Sequence, residues 1–426
     1  MKISGAQRRS LVKIEELAPE EIGPLYLVGG TVRDILLDRE VCDFDIVGKG
    51  DMEGLALSFA RVSGGTVVRT GERFGAFRVV DQTGIFDFCN MRGNEIEGDL
   101  NNRDISINSM AVTLRAFLED GEVEKEVIDP TGGMDDLNSG IIRPIAEENM
   151  RADPIRLFRI FRFASQLGFN VESDTLRLVA NIAGAVKDIS GERVREETFG
   201  TIKGSAFLRM TGAETFYGLL FAFSRLEGDP KQALERVHGL AKASSWEYIT
   251  PFGNTLSVPI SGGRTHMDLL YFLSIFLPLP DKKRVGWLSG RFRLSRKEKH
   301  IISRVYASFS EGLSLSKGSC PVSPASLYRS GPLTPQILLL AGGAGPLRGK
   351  RRVVNNALKY YSMMDKVIRR GEYPWSVSEI VSLLSKSGVR ERREFLEYLK
   401  IETVAGRIEN TDQAVNWVLR QIEYGI

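Results

Sequence analysis

The sequence predicts an α+β protein: a mixed α/β head followed by an all-helical remainder. Two observations carry this. Residues 25–115 alternate short runs of period two with runs of helical period. From about residue 150, helical patterns dominate to the C-terminus. A Gly/Ser/Pro-rich stretch near 314–334 reads as a linker. With 426 residues the chain exceeds one ordinary core, so two to four domains or subdomains are expected. The pattern changes suggest a head over 1–145, a helical neck over 146–210, a helical body over 211–313 and a helical tail over 314–426.

Within the head, "LYLVGG" reads as a strand ending in a turn. "TVRDILLD" is a short helix with Val32, Ile35 and Leu36 on one face. "VCDFDIV" alternates with period two, and "GLALSFARVSG" is an amphipathic helix. "TVVRT", "GAFRVVD" and "GIFDFCN" are strands, and "DISINSMAVTL" is apolar enough to continue into the core. Beyond the head, "DPIRLFRIFRFASQLGF", "SDTLRLVANIAGAVKDI" and "GERVREETFGTI" read as successive helices. "TDQAVNWVLRQIEY" reads as a last helix capped by Thr411 or Asp412. There is no internal repeat and no low-complexity tract.

Composition narrows the class. Hydrophobic residues at 42% and charged residues at 26% describe a globular chain. A net charge of +3 does not by itself announce a nucleic-acid binder, so local clusters must decide. Three cysteines (Cys42, Cys89, Cys320) make neither a disulfide framework nor a paired metal motif, which suits a reducing, cytoplasmic setting. No signal-peptide pattern opens the chain. The longest uncharged apolar run, Leu269 to Leu279, is far short of the roughly 20 residues that span a bilayer, so no membrane partner is expected. The three histidines (His238, His266, His300) stand at no metal-ligand spacing.

The chemistry concentrates in "GGTVRDILLDREVCDFDIV". On a strand, Asp43 and Asp45 share one face while Cys42, Phe44 and Ile46 point into a core. Carboxylates about 6 Å apart repel by roughly 3 kcal/mol at an effective dielectric near 20. A divalent cation such as Mg²⁺ reverses that cost, since it takes carboxylate and phosphate oxygens together. An isolated Asp-x-Asp also fits a solvated strand edge. Gly29 and Gly30 ahead of it shift the balance, because a glycine turn into a helix lets backbone N–H groups approach a phosphate. Arg33 adds a charge-assisted contact. Asp87 in "GIFDFCN" either completes the metal site or faces solvent as an ordinary strand residue.

"GGTVRD" followed by "CDFDIV" resembles the signature of the class II tRNA nucleotidyltransferase and bacterial poly(A) polymerase family, within the polymerase-β-like superfamily. "NNRDISINSMAV" (102–112), "IDPTGGMDDLNSGIIRPI" (128–145), "ADPIRLFRIFRFASQLGF" (152–169) and "GERVREE" (191–197) resemble the family's later blocks in order and spacing. The resemblance covers roughly the first half of the chain. It implies a nucleotidyltransferase head, with Asp43, Asp45 and Asp87 catalytic and Asp43 and Asp45 holding Mg²⁺. Gly29, Gly30, Arg33, Arg103, Asp104 and Asn108 would contact the triphosphate and sugar. Read without the family, Arg103–Asp104 is a surface ion pair of small consequence.

In "ADPIRLFRIFRF", Asp153 is a natural helix cap and Pro154 a natural first residue. Arg156, Arg159 and Arg162 follow at steps of three along one flank. Leu157, Ile160, Phe161, Phe163, Ala164 and Leu167 fill the apolar face. A carboxylate with a guanidinium reads a base edge: Asp accepts the exocyclic amine of C or A, and Arg donates to ring acceptors. The resemblance implies that role for Asp153 and Arg156, and nucleotide contacts for Arg159 and Arg162.

Two departures matter. Ala152 stands where the family has a glutamate. Only 15 residues separate Asp87 from Arg103, where CCA-adding relatives have a longer flexible segment. The short connection favours addition of two cytidines to a tRNA 3′ end from CTP. CCA or A addition with ATP, poly(A) synthesis, and a non-catalytic RNA-binding relative are the alternatives. The arginine-rich, histidine-containing block of the poly(A) branch is missing, and the histidines cannot build a phosphohydrolase metal site. "DKKRVGWLSGRFRLSRKEKH" (281–300) makes the body a candidate RNA-binding segment, through Arg291, Arg293, Arg296 and Lys297. "LRGKRR" (347–352) and Arg369–Arg370 add further positive charge.

Overall fold

The computed structural model describes residues 3–71, 76–119, 123–279, 281–310, 331–370, 373–387, 392–404 and 407–423. It divides into two compact units: Met1–Ile189 with Lys203–Leu219, and Ser190–Ile202 with Leu220–Ile426. The sequence boundaries at 145 and 210 both fall inside the first unit.

The first unit is built on one six-stranded sheet. Its strands are β1 (Tyr26–Val28), β2 (Asp43–Gly48), β3 (Thr66–Gly71), β4 (Ala76–Val80), β5 (Ile85–Asn90) and β6 (Ala111–Thr113), in the order β3-β4-β5-β2-β1-β6. Only β2 and β5 run parallel; the other neighbours are antiparallel. Helices α1 (Gly5–Leu17), α2 (Gly30–Leu36), α3 (Met52–Ser63), α4 (Ile96–Asn101), α5 (Leu114–Leu118), α6 (Gly133–Ser139), α7 (Glu147–Ala152), α8 (Arg156–Leu167) and α9 (Ser173–Ile182) complete the main elements.

The pleat separates a core face from a polar one. Phe44 of β2 stacks on Phe86 of β5 at 5.2 Å between ring centroids, and Phe59 of α3 meets Phe86 edge-on at 5.1 Å. All three rings are fully buried. The opposite face carries Asp43 and Asp45, then a small apolar cluster at the far end of β2. There Val28, Val47 and Ala111 pack with Ile96 and Leu100 of α4. The 15-residue connection from Asp87 to Arg103 is therefore a strand end, a turn and a helix seated on the sheet.

Two local expectations change. Cys42 is exposed rather than inward. It precedes β2, and its carbonyl accepts from Ile85 N–H before the strand's alternation begins. Asn410, not Thr411 or Asp412, caps the last helix, its Oδ1 accepting from Gln413 N–H at 2.9 Å. The expected linker lies mostly outside the described residues; at its end, residues 331–333 form a 3-10 turn leading into the helix Thr334–Ala344.

The second unit is helical apart from a two-stranded sheet of Pro259–Ser261 and Arg264–Thr265. It holds α10 (Gly191–Ile202), the end of α11 (Ala213–Ser224), α12 (Pro230–Ser244), α13 (Gly253–Leu256), α14 (His266–Phe276), α15 (Lys282–Arg291), α16 (Arg296–Ser310) and the later helices Thr334–Ala344, Arg351–Arg370, Val377–Lys386, Arg392–Val404 and Thr411–Glu423. Arg264 and Glu298 form a buried ion pair within it. The last three helices share a small core of Ile380, Leu384, Phe395, Leu399, Ala414 and Val418, joined by Trp375 and Ile408. Among the described residues no helix is long and apolar enough to cross a membrane.

Because Phe86 joins the strand that carries Asp87 to α3, its truncation is expected to loosen the floor of the polar face. Phe86→Ala should cost about 3–5 kcal/mol, read as a lower urea midpoint at unchanged slope. A loss below about 1 kcal/mol would contradict this packing account.

Candidate active site

All thirteen head and neck residues singled out in the sequence line one cleft of about 830 Å³ within the first unit. Its floor is the polar face of the sheet. Asp45 of β2 stands directly beside Asp87 of β5, and Asp87 stands beside Arg78 of β4. Asp43 is exposed at the start of β2, and Asp45 is half-buried.

A threonine fixes the strand that carries the pair. The buried Thr31 hydroxyl donates to Asp43 C=O at 3.2 Å and accepts from Asp45 N–H at 2.8 Å, clamping α2 onto the backbone between the two carboxylates. The turn before it is tight: Gly29 has φ +66°, and a Cβ there would meet Arg103 Nη1 at 2.8 Å and Asp45 Oδ2 at 3.3 Å. Glycine is required at that point both by backbone conformation and by space.

Burial pushes the Asp45 carboxyl up to about 6; the Arg103 charge opposes this, while the charges of Asp87 and Asp43 add to it. Burial likewise pushes the Cys89 thiol up to about 11. Asp87 is not gathered with the other two into a three-carboxylate cluster. Its oxygens are chelated by Arg78, Nε to Oδ1 at 2.8 Å and Nη2 to Oδ2 at 2.7 Å. The Asp87 carboxylate in turn holds the Arg78 guanidinium above its ordinary range. Among the described residues no three His, Cys, Asp or Glu side chains converge as a metal cluster. Asp43 and Asp45 present carboxylate oxygens to the cleft.

The cationic wall is built from arginines that are each tethered. Arg33 pairs with Asp34 at 2.8 Å and donates from Nη1 to Asn108 Oδ1 at 2.6 Å. Arg103 pairs with Asp99 of α4 at 2.8 Å. The alternative reading of Arg103–Asp104 as a surface ion pair does not hold: Asp104 is buried and accepts from Arg159 Nε at 2.6 Å and from Ile105 N–H at 2.9 Å. Burial alone would raise the Asp104 carboxyl, but Arg159, the Ile105 N–H and Arg156 outweigh it and hold it below its usual range. The guanidinium carbons of Arg33, Arg159 and Arg162 lie 5.3, 5.5 and 4.1 Å from the centre of the Phe163 ring. One aromatic ring thus gathers three like charges that would otherwise repel.

At the far end of the cleft, α8 begins at Arg156, with Ile155 and not Asp153 at the cap position. Asp153 sits in the break after α7, and its C=O accepts from Arg156 N–H at 3.0 Å. The Asp-Pro pair closes one short helix and turns into the next, which leaves the Asp153 side chain facing the cleft. Arg156 Nη1 donates to Arg103 C=O at 3.0 Å and to Asn149 C=O at 3.4 Å. Asn149 Nδ2 donates to the same Arg103 C=O at 2.9 Å and to Asn101 C=O at 2.8 Å. Burial lowers the Arg156 guanidinium, partly offset by Asp104 and Asp153. Thr31, Arg78, Asp99, Asn149 and the ring role of Phe163 had no sequence signal beyond residue type.

In the second unit, Arg293, Arg296 and Lys297 are exposed around the turn between α15 (Lys282–Arg291) and α16. Arg291 is engaged internally: its Nε donates to Phe223 C=O at 3.0 Å and its guanidinium lies 3.9 Å from the Phe223 ring centre. Its replacement would therefore disturb packing as well as charge.

Comparison with known proteins agrees with this geometry. Residues 25–143 match the poly A polymerase head domain family. A CC-adding tRNA nucleotidyltransferase of Synechocystis sp. is 36% identical over 43% of this chain and 43% of its own length. One from Geobacter sulfurreducens is 32% identical over 51% of this chain and 50% of its own. The matched segment thus spans about half the length of these relatives or less. The fold is that of the Thermotoga maritima CCA-adding enzyme complexed with tRNA, at TM-score 0.72 and 21% identity over 99% of this chain and 97% of that one.

The raised Asp45 pKa fixes a sign for stability. Between roughly pH 4 and 6 the native chain keeps a proton that the unfolded chain has lost, so this group's contribution falls as pH rises through that window. Asp45→Asn is expected to stabilise the metal-free protein at pH 7.5, by at most about 3 kcal/mol, with the gain vanishing near pH 4. Denaturant titration in EDTA at both pH values reads this; destabilisation at pH 7.5 would contradict it.

Proposed function

We propose that this chain, a member of the class II tRNA nucleotidyltransferase and bacterial poly(A) polymerase family through its head domain, adds nucleotides without a template to the 3′ end of tRNA. The observation that carries the reading is a single cleft lined by the Asp43–Asp45 pair, the glycine turn and the Asp153–Arg156 pair. The 3′ hydroxyl attacks the α-phosphate of a nucleoside triphosphate, and pyrophosphate leaves.

Seven arginines of the cleft face eight carboxylates, so the lining alone does not offset a triphosphate. Asp43 and Asp45 supply hard oxygen donors on one strand face, and the burial and like-charge neighbours that raise Asp45 are relieved by a divalent cation. These residues fit Mg²⁺. When bound, it would favour ionisation of the attacking hydroxyl and neutralise charge on the phosphates. The Gly29–Gly30 backbone, Arg33 and Arg103 would hold the triphosphate; Asp104 and Asn108 keep Arg159 and Arg33 in position. Asp153 accepts the base's exocyclic amine and Arg156 donates to its ring.

For the product, we favour CC addition from CTP. The seated helix α4 supports it, because a connection packed on the sheet leaves little slack for reshaping the pocket between C and A. The relatives from Synechocystis sp. and Geobacter sulfurreducens that it resembles are CC-adding enzymes. CCA addition with ATP is the second reading, supported by a CCA-adding enzyme of Leuconostoc mesenteroides at 31% identity over 46% of this chain and 49% of its own length. In this reading residues 1–145 are the head, 146–210 the neck, 211–313 an RNA-binding body and 314–426 the tail. Arg293, Arg296 and Lys297 would meet tRNA phosphates, and the protein would act in the cytoplasm.

Labelled tRNA ending at the discriminator base, incubated with CTP, ATP or both, is expected to grow by two residues with CTP and no further with ATP. Growth of a CC-ended tRNA by one A would overturn the CC-only reading. Asp45→Ala should abolish incorporation while tRNA binding stays within about threefold, since the lost group faces nucleotide and metal rather than the RNA body.

A further inference from the structure

Of the seven arginines that line the cleft, Arg78 stands apart from the others. The remaining arginines come from α2, from the segment 92–103 and from α8. Arg78 comes from β4, beyond Asp87 in the row Asp45–Asp87–Arg78 across the sheet. The glycine turn lies at the other end, where β1 borders β2.

In-line displacement at the α-phosphate requires nucleophile and leaving group on opposite sides. If pyrophosphate leaves toward Gly29, Arg33 and Arg103, the RNA 3′ end arrives from the β5–β4 side. Two of the five N–H donors of Arg78 are spent on Asp87. Its side chain lines the cleft and is still 39% exposed to solvent. Asp87 therefore aims a guanidinium without exhausting it, and a phosphodiester monoanion is the ligand class that matches the donors left over.

We propose that Arg78 grips the phosphodiester that precedes the reacting 3′ hydroxyl of the RNA acceptor, with Asp87 as its positioning partner. The inference rests on the nucleotide-adding reading and gives Arg78 a contact with substrate.

The test compares an acceptor minihelix RNA whose last linkage is a natural phosphodiester with one carrying a neutral methylphosphonate there. For the unaltered protein, acceptor affinity by fluorescence anisotropy and acceptor KM should both worsen roughly tenfold with the methylphosphonate, the range of one charge-assisted contact. Arg78→Gln should show the same loss with the natural linkage, little further loss with the neutral one, and a KM for CTP within about twofold of the parent. Arg78→Lys should recover most of the affinity. A methylphosphonate effect below about twofold in the unaltered protein overturns the proposal even if Arg78→Gln fails to fold. So do equal losses of Arg78→Gln on both acceptors, or a matching rise in KM for CTP. Failure of the unaltered protein to extend any acceptor overturns the activity reading instead, and the anisotropy comparison still decides the phosphate contact.

Discussion

The cleft is organised around a carboxylate that burial opposes. Asp45 sits on a strand whose reverse side is an aromatic core, so it cannot retreat from Asp43 or Asp87 without breaking the Phe44–Phe86 stack. Thr31 removes the remaining freedom by bonding the backbone on both sides of the pair. The result is concentrated negative potential at a fixed place, with the Asp45 carboxyl held above the usual carboxylate range. The fold tolerates this cost because the rest of the unit is well packed, as expected where function and stability compete.

The positive side of the cleft follows a complementary rule. Arg33, Arg78, Arg103 and Arg159 are each held by their own carboxylate, Asp34, Asp87, Asp99 and Asp104. A tethered guanidinium loses less side-chain entropy when an anion binds than an untethered one does. It is also geometrically committed, since Arg donors lie in a fixed plane. The Phe163 ring applies the same restraint to three of the guanidiniums at once. Such a wall favours a ligand with phosphates at set positions over a diffuse polyanion.

Local chemistry was legible in the sequence and tertiary chemistry was not. The strand, glycine turn and helix around Gly29 and Gly30, the shared face of Asp43 and Asp45, and the arginine flank of α8 all follow from spacing within one element. Arg78 joins Asp87 only through strand register, and Asp99 reaches Arg103 only because α4 forms; neither pairing leaves a local trace. The departures lie at element ends. Period-two alternation points Cys42 inward, but β2 begins one residue after it. An Asp-Pro pair looks the same whether it opens a helix or joins two, so it does not fix Asp153 at a cap. The packing of Arg291 on the Phe223 ring is likewise tertiary and leaves no trace in the basic run.

One backbone carbonyl ties the two ends of the cleft together. Arg103 C=O accepts from Arg156 Nη1 and from Asn149 Nδ2, while the Arg103 side chain turns the other way to Asp99 and the glycine turn. The residue that would contact phosphate and the residue that would read the base are therefore joined through a single peptide unit. Asn149 braces that unit from α7, the helix that ends at Ala152. Moving Arg156 to suit a second base would drag Arg103, and Arg103 is anchored to α4, which is anchored to the sheet by Ile96 and Leu100. A pocket wired in this way resists reshaping. That resistance, rather than the identity of any one base-contacting residue, is the physical ground for expecting one base to be served.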